Sequence, residues 1–173
     1  DSPTKKWSGF RMTEDTRRPP ALSLVVIIAV TVVVAALGGL VSAGSDDAWY
    51  AALNKPPLNP PDVTFAIVWP VLYVLMALGA IGVRLRAGSF RAASAALGIF
   101  FVQLGVNLSW SWVFFGFHQP LAALAILLIL WLLIVTMIVA FWRHARGPAM
   151  MQLPYLAWVS FAGYLNAYIV LAN

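Results

Sequence analysis

The sequence predicts an all-α fold, an integral membrane bundle of five transmembrane helices. Composition is the first reason. The 173-residue chain is 62% hydrophobic with a mean hydropathy of +0.86, and only 10% of its residues are charged. A soluble domain of that size has too little interior for so much apolar side chain. The second reason is five apolar runs, near Ala21–Ala43, Thr64–Val83, Ala92–Phe115, Leu121–Trp142 and Ala149–Leu171, none of which contains Asp, Glu, Lys or Arg. Each suffices to cross about 30 Å of hydrocarbon, which takes roughly 20 residues. Third, no alternating barrel-type pattern is present, and backbone in lipid must satisfy its hydrogen bonds within the segment, so the runs are helices.

Residues 1–20 form a polar, basic tail ending in Pro19-Pro20, and residues 21–173 form the membrane domain. Proline is tolerated where a helix starts, because the first N–H groups lack partners anyway. The basic tail, the apolar run and Val41-Ser42-Ala43 loosely resemble a cleavable signal. The run is longer than a signal core, so it reads as a retained first span. The first connection, about 44–63, is long, and long loops in compact bundles are usually functional or disordered. Prolines 56, 57, 60 and 61 favour an ordered, extended path here. The remaining connections are short, which makes successive helices antiparallel neighbours. Pro70 and Pro154 fall inside the second and fifth spans, where proline kinks a helix and frees a carbonyl.

Charge orients the bundle. Lys5, Lys6, Arg11, Arg17 and Arg18 precede the first span. Arg84, Arg86 and Arg91 follow the second, and Arg143 and Arg146 follow the fourth. Lys55 lies on the opposite side with Asp46, Asp47 and Asp62. The positive-inside rule places the N-terminus inside and the C-terminus outside. A sequence pI near 10.0 would suggest nucleic acid in a soluble protein. Here the basic residues flank membrane spans, and no nucleic-acid partner is expected. The chain has no cysteine, which excludes disulfides, thiolate metal sites and covalent haem attachment. No His/Asp/Glu cluster has metal spacing.

Helical spacing groups the residues that could carry chemistry. On the third span Gln103, Asn107, Trp110 and Phe114 form one stripe, and Ser94, Gly98, Gly105 and Ser109 form another. Asn107 and Gly105 lie about 200° apart on a helix. The first face suits a cavity inside the bundle, and the second suits close approach by another helix. Alternatively, Gln103 and Asn107 simply bond neighbouring helices. Phe65, Trp69, Tyr73 and Met76 share a face of the second span, as Tyr155, Trp158, Ala162 and Asn166 do of the fifth. Aromatic stripes are often packing or interfacial belts. Three stripes that each pair Trp with a polar or phenolic partner favour a shared cavity for a large, flat, mostly apolar ligand. His118 reads as a solvated loop histidine, with haem ligation as the alternative, and His144 as part of a basic flank.

Four motifs then carry a resemblance: WYAALNKP with NPP, FAIVWPVLYVLM, QLGVNLSW with FFG, and PYLAWVSFAGYLN, in this order. Over roughly residues 22–173 the chain resembles the TspO/translocator protein family, the tryptophan-rich sensory proteins or peripheral-type benzodiazepine receptors. The resemblance implies a five-helix bundle, commonly a homodimer, that binds haem, porphyrins and sterols in a cavity capped by the first loop. Carried over by motif, Trp69 and Trp158 flank the ligand, Tyr73 and Asn107 line the cavity, and Ala162 sits on its fifth-helix wall. Trp49, Tyr50 and Pro56 belong to the lid. With the stripes, the expected ligand-binding set is Phe65, Trp69, Tyr73, Gln103, Asn107, Trp110, Trp158 and Ala162. The dimer contact is expected on the third span at Gly98 and Gly105. Most members carry Trp where this chain has Leu58 and Val63, so its lid should stack less strongly. Tyr168 is followed by IVLAN, without the basic residue that the sterol pattern of animal members needs.

The function expected is a membrane receptor or regulator of porphyrin-type tetrapyrroles, with haem or protoporphyrin as ligand and no cofactor required. One alternative is a light-dependent porphyrin-degrading enzyme using Trp69 and Trp158, although no general acid or base is apparent in the cavity. The other is a membrane scaffold without a ligand. An ion-coupled transporter is disfavoured by the absence of charge within the spans.

Overall fold

The computed structural model describes residues 20–43 and 48–173; the tail and Asp46 and Asp47 lie outside the described residues. Among the described residues seven α-helices run in chain order: α1 (Pro20–Ala43), α2 (Ala48–Ala52), α3 (Asp62–Arg86), α4 (Ser94–Ser111), α5 (Pro120–Trp142), α6 (Arg146–Met150) and α7 (Leu153–Ala172). Five stretches are long and apolar enough to cross a membrane: Ala21–Ser42, Asp62–Arg86, Ser94–Gly116, Pro120–Trp142 and Arg146–Ala172. The chain is a multi-pass membrane protein. Its outward apolar side chains, such as Val32, Leu132 and Leu171, are exposed as lipid contact requires.

Two spans depart from uniform α-helix. The third becomes a π-helical segment over Trp112–Gly116, where Phe117 N–H donates to the Trp112 carbonyl at 2.9 Å. Such bulges often mark functional sites. The fifth span, expected as one run from Ala149, is broken at Met151-Gln152 between α6 and α7. Pro154 lacks the N–H that would bond the carbonyl four residues earlier, and its ring crowds that carbonyl.

The helices do not pack strictly in sequence order. α5 packs on α4 and α7, and α1 packs on both α3 and α4. α3 therefore meets α4 only sparsely at backbone distance, contrary to the expectation that short links make direct neighbours. The link 87–93 joins α3 to α4, with Gly88 at φ 73°. Such a link reaches roughly 24 Å, twice a helix diameter. α3 also touches α7 only sparsely. Around the bundle the order is α3, α1, α4, α5, α7, with an opening between α7 and α3. Met76, Leu97, Phe100, Leu104, Leu130, Ile134 and Tyr155 fill the interior.

Where α3 meets α6, side chains sit directly over two glycines of α3. A Cβ on Gly79 would collide with Gln152 Nε2, and one on Gly82 would lie 2.7 Å from Pro148 Cγ. Gln152 Nε2 donates to the carbonyls of Leu75 (3.2 Å) and Pro148 (3.3 Å), which locks this crossing.

Candidate functional site

A polar chain crosses the centre of the bundle. Tyr73 Oη of α3 donates to Asn107 Oδ1 of α4 at 2.8 Å. Asn107 Nδ2 donates to Tyr155 Oη of α7 at 3.0 Å, and Tyr155 Oη donates to Gln103 Oε1 at 2.9 Å. Gln103 Nε2 reaches Met76 Sδ at 3.6 Å. All five side chains are buried. One turn further along α4, Trp110 Nε1 donates to Asn166 Oδ1 at 3.3 Å, and Asn166 Nδ2 donates to the Pro120 carbonyl at 2.8 Å. Gln103 and Asn107 thus bridge helices, as one of the two sequence readings had it.

Aromatic rings collect beside this chain. The Trp69 ring lies 5.9 Å from Tyr73, 6.2 Å from Trp110 and 6.5 Å from Tyr155 by centroids. Phe65 meets Trp158 edge-on at 5.5 Å, bridging α3 and α7. These separations and tilts are those of favourable aromatic pairs, each contributing about 0.5–1.5 kcal/mol beyond burial. Ala162 is buried on α7 one turn beyond Trp158.

The opening between α3 and α7 is a groove of about 480 Å3. Ile67, Val68, Val71, Leu72 and Leu75 form one wall, and Pro154, Ala157, Trp158 and Phe161 form the other. Of the eight predicted ligand residues, Trp158 lines this groove. Its buried Nε1 has no hydrogen-bond partner among the described residues. Trp69, Tyr73, Gln103, Asn107 and Trp110 form the aromatic and polar cluster of the interior.

The first connection is fastened at both ends. Trp49 of α2 stacks on His118 at 4.2 Å and 16°, and meets Phe114 edge-on at 5.8 Å. Tyr50 packs on Phe114 and Phe115 of the π-helical segment. His118 is therefore a packing partner and not a merely solvated loop residue; its φ of 54° is the left-handed backbone that a tight turn into Pro120 requires. Burial first, and the Asp62 charge second, push the Tyr50 phenol above its ordinary value of 10.0. The ring stays neutral at physiological pH, with Lys55 Nζ 4.0 Å above its centroid. Asn54 N–H donates to Asn173 Oδ1 at 2.9 Å, and Asn54 Nδ2 donates to the Ala172 carbonyl at 3.1 Å, which ties the connection to the end of α7. Pro56 is buried. Leu58 and Val63, where tryptophan was expected from the resemblance, are 67% and 62% exposed.

Gly98 and Gly105 are exposed, and a Cβ on either would meet nothing within 4 Å. They take no part in close helix approach within the protomer; Gly79 and Gly82 do. Tyr155 was placed on the correct stripe by spacing but was not assigned to the site. The ties of Trp49 to His118 and of Asn54 to Asn173 join residues far apart in sequence, which no local signal announces.

The family model for the TspO/MBR family matches residues 25–171. The tryptophan-rich protein TspO of Chlorobaculum tepidum is 35% identical, covering 88% of this chain and 96% of that protein. A protein of the same name from Archaeoglobus fulgidus is 35% identical, with coverage of 88% and 97%. The translocator protein of Bos taurus is 38% identical, with coverage of 75% and 78%. The chain belongs to the TspO/MBR family.

Proposed function

We propose that the protein is a membrane receptor or regulator for a porphyrin-type tetrapyrrole. One observation carries the reading: an apolar groove of about 480 Å3 opens between α3 and α7, and the same helices bring Trp69, Tyr73 and Tyr155 together behind it. That volume falls within the range of small-molecule sites, roughly 300–1,000 Å3. A flat macrocycle would lie against the apolar walls, with Trp158 offering a ring face and Phe65 buttressing it. The first connection, held by Trp49, Tyr50 and Pro56, would cap the outer end.

Titrating purified protein with protoporphyrin, in light and in darkness, tests this. The expected result is saturable quenching of tryptophan fluorescence at micromolar ligand. Trp158→Phe or Trp69→Phe should weaken binding about two- to tenfold, the worth of one aromatic contact. Trp112→Phe, at the exposed start of the π-helical segment, should not. Absent saturation, or an unchanged affinity in Trp158→Phe, would sink the proposal. A light-dependent product lost in the same variants would instead favour degradation.

We also propose a homodimer through α4, supported by the open face at Gly98 and Gly105, and an N-terminus inside with the C-terminus outside, supported by the arginines at one end of the bundle. Gly105→Leu should convert dimer to monomer in detergent, read by light scattering. A dimer that persists places the contact elsewhere.

A further inference from the structure

Among the described residues, the basic end of the bundle holds a buried cation with no anion beside it. Arg84, in the last turn of α3, is 5% exposed. Its Nε donates to Ser23 Oγ, near the start of α1, at 2.9 Å. A guanidinium has five N–H donors, and Ser23 accepts one of them. Among the described residues Asp62 is the sole acid, and it opens the same helix at the opposite end. The two are separated by roughly 33 Å of helix, far beyond useful Coulomb range. The other charges at this end have the same sign. Arg86, Arg91, Arg143 and Arg146 are exposed there, with His144 half-buried.

A desolvated guanidinium is tolerated only where a counter-charge and further acceptors meet it. Among the described residues the hydrogen bond of Arg84 uses Nε, which leaves its two Nη groups as a planar fork that fits two oxygens of one phosphate. The residue sits two positions from the end of a membrane-spanning helix, the depth at which long basic side chains reach the headgroup layer. The neighbouring arginines add an attractive field that favours a net anion over a zwitterion.

We propose that Arg84 anchors a phosphate-binding notch between the start of α1 and the end of α3, whose ligand is the phosphate of an anionic lipid. This site lies at the opposite end of α3 from the Phe65–Trp158 contact and is independent of the ligand groove.

Thermal unfolding of delipidated protein in neutral detergent tests it, with phosphatidylglycerol, phosphatidylcholine or inorganic phosphate added. Phosphatidylglycerol should raise Tm by several degrees, and phosphatidylcholine by much less. Arg84→Gln should abolish the increment, whereas Arg86→Gln should keep most of it. Arg84→Lys retains the charge without the fork and should give a reduced increment, so the test survives if Arg84→Gln fails to fold. If millimolar inorganic phosphate reproduces the increment, the phosphate site stands and its source is the free ion. Equal increments in the wild type and the Arg84 variants would overturn the proposal, as would phosphatidylcholine matching phosphatidylglycerol. So would an unresponsive wild type in which Glu14→Gln with Asp15→Asn costs as much Tm as Arg84→Gln, because the counter-charge would then come from the chain itself.

Discussion

Tyr155 Oη both accepts from Asn107 and donates to Gln103, so one hydroxyl holds α7 to α4 twice. Replacing it with hydrogen leaves a buried amide donor and a buried amide acceptor unpaired. An orphaned buried polar group costs about 1–3 kcal/mol in water-soluble proteins, while hydrogen bonds between membrane helices average nearer 0.6. Tyr155→Phe should therefore destabilise the bundle by about 1–3 kcal/mol, measured by unfolding in mixed detergent. Tyr73→Phe orphans only Asn107 Oδ1 and should cost about half as much. Equal losses would remove Tyr155 from the centre of the network. Spacing on a helix places Asn107, Gln103 and Tyr155 on the correct faces, because side-chain direction follows from residue number. It cannot say which atoms meet, since that depends on rotamers and on interhelical distance.

At the scale of elements, α3 is shaped by its small residues. Gly79 and Gly82 let α6 approach until Gln152 reaches the α3 carbonyl of Leu75. Gly79→Ala must displace Gln152 and forfeit that lock. The expected net cost is about 0–2 kcal/mol from the overpacking penalty less the gain in helix propensity, with the lost Gln152 hydrogen bond placing it in the upper half of that range. Gly98→Ala meets nothing within 4 Å and should leave stability unchanged or raise it by up to about 1 kcal/mol through helix propensity. A reversed order would contradict the packing. Glycine spacing was visible in the sequence on both helices, yet periodicity alone cannot distinguish a stripe that faces a neighbour from one that faces lipid. The break at Met151-Gln152 had a local signal in Pro154, whereas the π-helical segment at Trp112–Gly116, against which Trp49 and Tyr50 pack, had none.

For the whole molecule, hydropathy delivers five spans, since long apolar runs without barrel-type alternation satisfy their backbone in lipid as helices. It does not deliver their order around the bundle. α1 stands between α3 and α4, and α3 meets α7 only sparsely, where the groove lies. The distribution of charge is better defined than the packing. Arg84, Arg86, Arg91, Arg143 and Arg146 occupy one end, and Lys55 with Asp62 the other. Short connections of this kind are retained on the cytoplasmic side by their positive charge. Because the chain has no cysteine of its own, single substitutions report topology cleanly. Leu58→Cys, in the exposed first connection, should react with an impermeant maleimide on intact cells. Ala92→Cys, in the exposed link before α4, should react only after permeabilisation. The reverse pattern would invert the proposed orientation and place the arginine end, with Arg84, at the outer leaflet.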